Sequence, residues 1–336
     1  YEGLTSINLP STLKEIRDAF VECTNLKAVH IKNLSHWCSK INFWQNPLSL
    51  AGNLYLNGDL ITNLVIPSDV TSVIYLAFGG GTCITSLEIP NNVNAIRHGA
   101  FQGCTSLVNL DIPSNVTYMD GPTFKGCTGL KTVNVWNSEI SSEEFANCTA
   151  LESITIGKET SVINSDAFNG CTSLKNISID IDNSVYDKRE ERNAIVETAT
   201  NKLIYICKGE VVPSTITAIG GNAFNAFTDL DVTIPAFVTS IDYKAFNGVN
   251  RTYFLSETPV EIGGDIFGWG AIYVPNGTLE TYCSAPVWSD YKDRIVTSEI
   301  ADKYVEVEST EGMSGVLNAI GLNEVDRVVK LKVKGC

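Results

Sequence analysis

Acid–base and metal chemistry has little to draw on in this chain, which holds three histidines and two methionines and has only 18% charged residues. His30 falls at an outward strand position, His36 in a break of the sequence pattern and His98 on a return segment, so the imidazoles do not converge. No HExxH, GxSxG or paired-cysteine zinc spacing occurs, and Gly79-Gly80-Gly81 lacks the Lys and Ser/Thr of a phosphate loop, which leaves it as a tight corner. Catalysis needs polar groups converging on one substrate atom. The sequence therefore gives no catalytic residue, no cofactor site and no metal site. Asp180-Ile181-Asp182-Asn183 offers carboxylates and carbonyls to calcium, but four loop residues do not make a coordination sphere.

Basic charge is also scarce. Lys plus Arg number 24 against 38 Asp plus Glu, a net charge of -14, so polyanions are repelled at long range and nucleic acid is excluded as a partner. Apolar stretches are short and broken by Pro, Asn and Thr, far below the ~20 residues of a membrane-spanning helix, and no membrane insertion is expected. No basic segment followed by an apolar stretch opens the chain, and Tyr1-Glu2-Gly3-Leu4 already sits inside a repeat, so any export signal is not present in this chain, which says nothing about destination.

What the chain has is a beat. Phe78, Phe101, Phe124, Phe145 and Phe168, then Phe224, Phe246 and Phe267, return at intervals of 21 to 23 residues apart from one longer break. The surroundings recur with them, as in Leu87-Glu88-Ile89-Pro90, Val93, Ile96, Ala100-Phe101 and Gly103-Cys104-Thr105. One such unit cannot bury its own apolar face and must stack on a copy of itself, which makes a solenoid. Alternating runs such as Leu87-Glu88-Ile89, Leu110-Asp111-Ile112, Ile154-Thr155-Ile156 and Ile177-Ser178-Ile179 predict short strands with one buried face, stacked into a parallel sheet. Pro10, Pro67, Pro90 and Pro113 end strands and force corners. The phenylalanines, usually preceded by alanine, predict a buried aromatic spine.

Cys104, Cys127, Cys148 and Cys171 each stand three residues after a spine phenylalanine, as does Cys23 after Phe20. Stacked side chains point the same way and do not meet across a bridge, so free thiols are expected. The same slot is Gly81, Phe227, Val249 and Gly270 in other turns, which asks for a compact or apolar residue and not a ligand.

Two breaks interrupt the beat, near 32–60 and 180–212, and each hides an extra turn. The first carries Trp37-Cys38, Asn46-Pro47-Leu48 and Leu54-Tyr55-Leu56-Asn57-Gly58; the second carries Val185-Tyr186-Asp187, Asn193-Ala194-Ile195 and Leu203-Ile204. Each reads as a hairpin-like elaboration riding on the stack. Residues 297–336 lose the beat and read as two strands, Tyr304 to Val307 and Val328 to Val333, around a polar helical piece, forming a cap or the start of a further domain.

The unit Leu-x-x-Ile-x-Ile-Pro-x-x-Val-Thr-x-Ile-x-x-x-Ala-Phe-x-x-Cys-Thr-x-Leu, both breaks and the closing Ile272-Tyr273-Val274-Pro275-Asn276-Gly277 with Tyr282 and Trp288 resemble the leucine-rich repeat of the BspA-like cell-surface proteins, the Treponema pallidum type. The resemblance covers residues 1–296. It implies a β-rich repeat solenoid, a right-handed superhelix with a parallel sheet on one face and short irregular return segments on the other. It also implies a non-enzymatic bacterial module, extracellular or on the cell surface, that binds a protein or glycan of a host or neighbouring cell. The rival expectation is a spacer that holds another domain away from the envelope.

The outward strand positions make a polar, mildly acidic ribbon, and the candidate partner-binding residues are Ser86, Glu88, Asn109, Asp111, Thr132, Asn134, Trp136, Ser153 and Thr155. Trp136, Phe254 and Tyr273 are the candidate aromatic anchors. The ribbon has few aromatic rings for a sugar site, which favours a protein partner. Sequons such as Asn115-Val116-Thr117 and Asn276-Gly277-Thr278 are assigned to turns.

Overall fold

The computed structural model describes residues 3–224, 230–298, 304–308 and 330–334. Two compact units divide the chain inside the second break: Tyr1–Ala199 with Cys207–Gly209, and Thr200–Ile206 with Glu210–Cys336.

In the first unit the alternating runs fold as read. Asn109–Ile112, Thr132–Val135, Ser153–Ile156 and Asn176–Ile179 form a four-stranded parallel sheet whose register aligns Leu110, Val133, Ile154 and Ile177, all buried. Ser6–Asn8, Ala28–Ile31 and Leu54–Leu56 continue this face in the earlier turns, as do Asn63–Val65 and Ser86–Glu88. The opposite, return face is built from two-residue strands, among them Ser72–Val73, Ala95–Ile96 and Tyr118–Met119. Each proline corner is a tight turn: the amides of Val70, Val93 and Val116 donate to the carbonyls of Pro67, Pro90 and Pro113 at 3.0–3.1 Å. Asparagine side chains tie one corner to the next, with Asn92 Nδ2 donating to Val70 O and Asn115 Nδ2 to Val93 O, both at 2.5 Å. Asn115, half of a sequon, is thus a corner bond between turns.

Between the two faces runs the spine. Phe78, Phe101 and Phe124 stack with ring centroids 5.3 Å apart and planes within 4°, and Phe145 and Phe168 continue the stack at 6.1 Å. Identical residues at the repeat length must meet between turns, so register imposes this parallel stacking. The cysteine slot beside the spine is more specific than its spacing revealed. Sγ of Cys104, Cys127, Cys148 and Cys171 lies 3.1–3.3 Å from the carbonyl of the spine phenylalanine one turn earlier, Phe78, Phe101, Phe124 and Phe145. These thiols are free and buried, and burial pushes those of Cys104 and Cys148 up to about 12. Native labelling of this row at neutral pH or below is therefore expected to be slow, with all four thiols reacting on denaturation; rapid native alkylation at that pH or a disulfide among them by mass spectrometry would contradict the ladder.

The first break departs from a hairpin riding on the stack. It folds as a turn of the solenoid, with a helix at Leu34–Ser39 whose N-terminus is capped by Asn33 Oδ1 accepting from His36 N–H at 2.8 Å. Trp37 and Phe43 are buried edge to face with centroids 4.9 Å apart, and Trp37 Nε1 donates to Ala77 O at 2.8 Å. Two large rings with almost no exposed surface need the core, which is why the segment cannot stand outside it. A hairpin does occur, but it spans only Leu54–Leu56 and Asp59–Leu60 around Asn57-Gly58, both at positive φ. The triple glycine is a corner, with Gly80 at φ +79° and a Cβ there falling 2.4 Å from Ser49 Cα. The second break holds a true hairpin, Tyr186–Asp187 antiparallel to Ala194–Glu197.

The second unit repeats the plan with shorter corners. Asp231–Ile234, Arg251–Phe254, Ala271–Pro275 and Ile295–Ser298 form its parallel strand face, and Phe224, Phe246 and Phe267 its spine. The end of this core is aromatic: Trp288 packs on Tyr282, Phe254 and Phe267 at 4.7, 5.0 and 5.8 Å. Tyr304–Glu308 and Lys330–Lys334 pair in parallel, close to the two strands read from the sequence. The polar helical piece between them and Phe227 lie outside the described residues.

Candidate binding face

Period two fixes what each strand shows to solvent. In the first unit the outward columns align Asn109, Thr132, Ser153 and Asn176, and beside them Asp111, Asn134, Thr155 and Ser178. Ser86 and Glu88 stand in the same sense one turn earlier, next to Asn63 and Val65. Ser86, Glu88, Asn109 and Asp111 are exposed, while Thr132, Asn134, Ser153 and Thr155 are half-buried.

These side chains bond along their columns. Ser86 Oγ donates to Asn63 Oδ1 at 2.6 Å, Thr132 Oγ1 to Asn109 Oδ1 at 2.5 Å, and Asn134 Nδ2 to Asp111 Oδ1 at 2.7 Å. Much of the ribbon's hydrogen-bonding capacity is thus directed at its own neighbours, as cross-strand pairing favours. A Glu152–Lys175 pair at 2.7 Å links the next turns, and this hydrogen bond holds the Glu152 carboxyl below its usual range. Glu88 and Asp111 are exposed carboxylates on adjacent turns, which Val108 N–H joins by donating to Thr85 O at 3.3 Å.

The three aromatic candidates have different fates. Trp136 is 38% exposed, but its indole lies over Gly157 of the next turn, where a Cβ would fall 2.7 Å from Trp136 Cε3. Phe254 is not an anchor. It is 1% exposed, because Arg251–Phe254 alternates Thr252 and Phe254 inward with Arg251 and Tyr253 outward. Tyr273 is on the face, stacked on Tyr253 at 4.6 Å and 17°. The register sets Thr233, Tyr253, Tyr273 and Val296 in one row and Asp231, Arg251 and Ala271 in the next, with Arg251 Nη1 3.5 Å from Asp231 Oδ2. The Tyr253 hydroxyl and the Asp231 carboxylate beside it hold the Arg251 guanidinium above its usual range. Sequence reading missed Tyr253 and Arg251, although the same alternation that places Ser86 and Glu88 outward places these two outward as well. Trp269, also missed, is fully exposed between Gly268 and Gly270 in a shortened corner.

Elsewhere the candidates for chemistry stay dispersed. His30 stacks on Tyr55 at 4.6 Å, a ring nitrogen of His36 lies 2.6 Å from Leu13 O, and His98 stacks on Tyr75 at 5.4 Å on the return face. Beside that last pair, Arg97 lies over the Tyr118 ring at 4.6 Å. Among the described residues no three His, Cys, Asp or Glu side chains come close enough together to hold a metal ion. Asp180 Oδ1 accepts from Asp182 N–H at 3.0 Å and so caps its own turn. An open hollow of about 360 Å³ adjoins it, lined by Ser178, Ile181, Tyr186 and the Asp187–Arg189 ion pair.

The sequence profile described as "BspA type Leucine rich repeat region (6 copies)" matches residues 1–51, 49–175, 138–188 and 202–268. No curated protein matches the chain. Among solved structures it is similar to a leucine rich cell surface protein from Faecalibacterium prausnitzii A2-165, at 22% identity and a TM-score of 0.54 over 99% of this chain and 83% of that one. It is also similar to the pneumococcal vaccine antigen PcpA, at 13% identity and a TM-score of 0.50 over 100% of this chain and 90% of that one. At these identities the likeness is one of fold.

Proposed function

This chain belongs to the BspA-type leucine-rich repeat family, and from that premise we propose a non-enzymatic binding module, displayed on a bacterial cell surface, that recognises a protein or glycan partner through the strand face. The observation that carries the reading is the face itself: side chains held in register on rigid parallel turns, broad and polar in the first unit, with a stacked tyrosine pair and an arginine in the second. Such surfaces suit extended partners because the backbone and the column-bonded side chains are already ordered before binding. Likeness to a cell surface protein supports display, and no helix among the described residues is long and apolar enough to cross a membrane. The proposed contact set of the first unit is Ser86, Glu88, Asn109, Asp111, Thr132, Asn134, Trp136, Ser153 and Thr155; on the second unit's own strand face Arg251, Tyr253 and Tyr273 are proposed separately.

A spacer is the second reading, and it too has an observation in its favour: the column hydrogen bonds of Thr132 and Asn134 satisfy the ribbon without any partner. Charge reversal separates the two. Glu88→Lys with Asp111→Lys is expected to slow association with a captured partner several-fold and to change its salt dependence, because rim charges act on encounter. The exposed site keeps the folding cost to about 1 kcal/mol. Binding kinetics at two salt concentrations, with a melting curve as control, test this; unchanged kinetics would remove these carboxylates from the site.

A further inference from the structure

One position in the first unit's spine is chemically out of place. The residue before the spine phenylalanine is Ala77, Ala100 and Ala167 in three turns, but Thr123 and Glu144 in the two turns between them, and all five are buried. Glu144 is 1% exposed, and neither its carboxyl oxygens nor the Thr123 hydroxyl makes a hydrogen bond of good geometry. The Thr123 hydroxyl and the amides of Thr123 and Phe124 are the dipoles turned toward the carboxyl, but Phe124 N–H already donates to the backbone carbonyl of Glu144 at 3.2 Å. A carboxylate so placed is cut off from solvent, and these poorly aligned dipoles do not offset the loss.

The charges around it offer no compensation. Asp120 on the preceding turn is acidic and sits 3.6 Å from Arg97. The thiols of Cys127 and Cys148 flank it within the core. Next along the chain Glu143 is paired with Lys125 at 2.8 Å, and from the following turn Asp166 accepts from Ser142 Oγ at 2.8 Å and from Glu143 N–H at 3.2 Å. The nearby cations are therefore engaged at the surface, and what faces Glu144 is acidic or neutral.

The stack is also loosest here. Spine spacing rises from 5.3 Å to 6.1 Å on both sides of Phe145, and the turn from Phe124 to Phe145 is 21 residues where its predecessors are 23. The missing residues come from the corner, where the buried Asn137 takes the place of Val93 and Val116 and leaves its Oδ1 without a partner.

We propose that Glu144 makes this turn a pH-sensitive joint: while protonated it sits in the spine as a neutral group and the turn stays closed, and when its proton leaves to solvent the charge drives the segment around Ser141–Cys148 out of the stack. The sign follows from burial, which raises the carboxyl from its ordinary 4.5 to about 8 in the closed turn. Closure is fully favoured below the ordinary value and is lost progressively as pH rises toward 8.

Hydrogen–deuterium exchange on the full chain, corrected for intrinsic rates, reads the joint directly. Protection across 139–148 is expected to fall roughly a hundredfold between pH 6 and pH 9 relative to protection across 78–104. Glu144→Gln should abolish that difference. If the glutamine variant does not fold, Glu144→Ala, which restores the residue of the neighbouring turns, serves the same comparison. An equal loss of protection in both segments, no loss in either, or a loss that persists in the variant would each overturn the proposal.

Discussion

Replacing Phe124 with alanine is expected to destabilise the protein by about 3–5 kcal/mol, the cost of removing a large ring from a site that cannot collapse. Phe124 is fully buried, with Phe101 at 5.3 Å on one side and Phe145 at 6.1 Å on the other. Those neighbours are held by the backbone ladder of the return corners, in which Phe101 N–H donates to Thr123 O and Phe145 N–H to Ala167 O, at 3.1 and 2.9 Å. They cannot move into the gap without breaking it. Asn134→Ala on the ribbon removes one hydrogen bond, to Asp111, and should cost about 0.5–1.5 kcal/mol. Chemical denaturation of the two variants ranks them; the reverse order would mean that the faces are misassigned.

The second large effect belongs to the other unit. Trp288→Ala is expected to cost at least as much as the phenylalanine replacement, because it removes both packing and a bond. The indole is 1% exposed, touches Phe254, Phe267 and Tyr282, and donates from Nε1 to Val260 O at 2.9 Å. Alanine leaves that carbonyl without its donor and the cluster without its centre. Trp288→Phe, which keeps part of the packing but no donor, should recover only part of the loss. Full recovery by phenylalanine in denaturant melts would show that the hydrogen bond contributes nothing.

The repeat made most of the fold legible, because register in a solenoid is written as sequence spacing. Phe78 through Phe168 stack where their interval puts them, and Leu110, Val133, Ile154 and Ile177 align as their alternation requires. Legibility failed where the local rule was applied incompletely or where the relevant bond joins two turns. Phe254 fails as an anchor because alternation beside Arg251 and Tyr253 sends it inward. The first break looked like an appendage because Asn57-Gly58 announces a hairpin, whereas the burial of Trp37 depends on its bond to Ala77, forty residues on. The cysteine row was legible as a compact slot, but not as a set of thiols set against the preceding turn's carbonyls, since no spacing encodes that acceptor. Glu144 is inconspicuous for a related reason: with Thr123 it is one of two polar residues at an otherwise apolar position of the beat, and only its burial marks it out.

The outward ribbon follows directly from the alternating runs, but its column hydrogen bonds do not, and they change its character from a set of free donors and acceptors to a partly satisfied lattice. Within the first unit's strand face the exposed carboxylates Glu88 and Asp111 are the charged candidates, and within the second unit's the candidates are Arg251, Tyr253 and Tyr273.

The central claim is that the strand face is the binding face, and capture of a partner by matched variants of the first unit tests it most directly. Extracellular proteins and glycans are screened with the wild-type chain, with Glu88→Lys/Asp111→Lys on the strand face, and with Tyr75→Ala/Tyr118→Ala on the return face, where both rings are about half exposed. A partner captured by the wild type, weakened by the strand-face pair and unaffected by the return-face pair is the predicted result. Weakening by the return-face pair alone would contradict the assignment of the face, and capture of nothing across both screens would leave the solenoid a spacer.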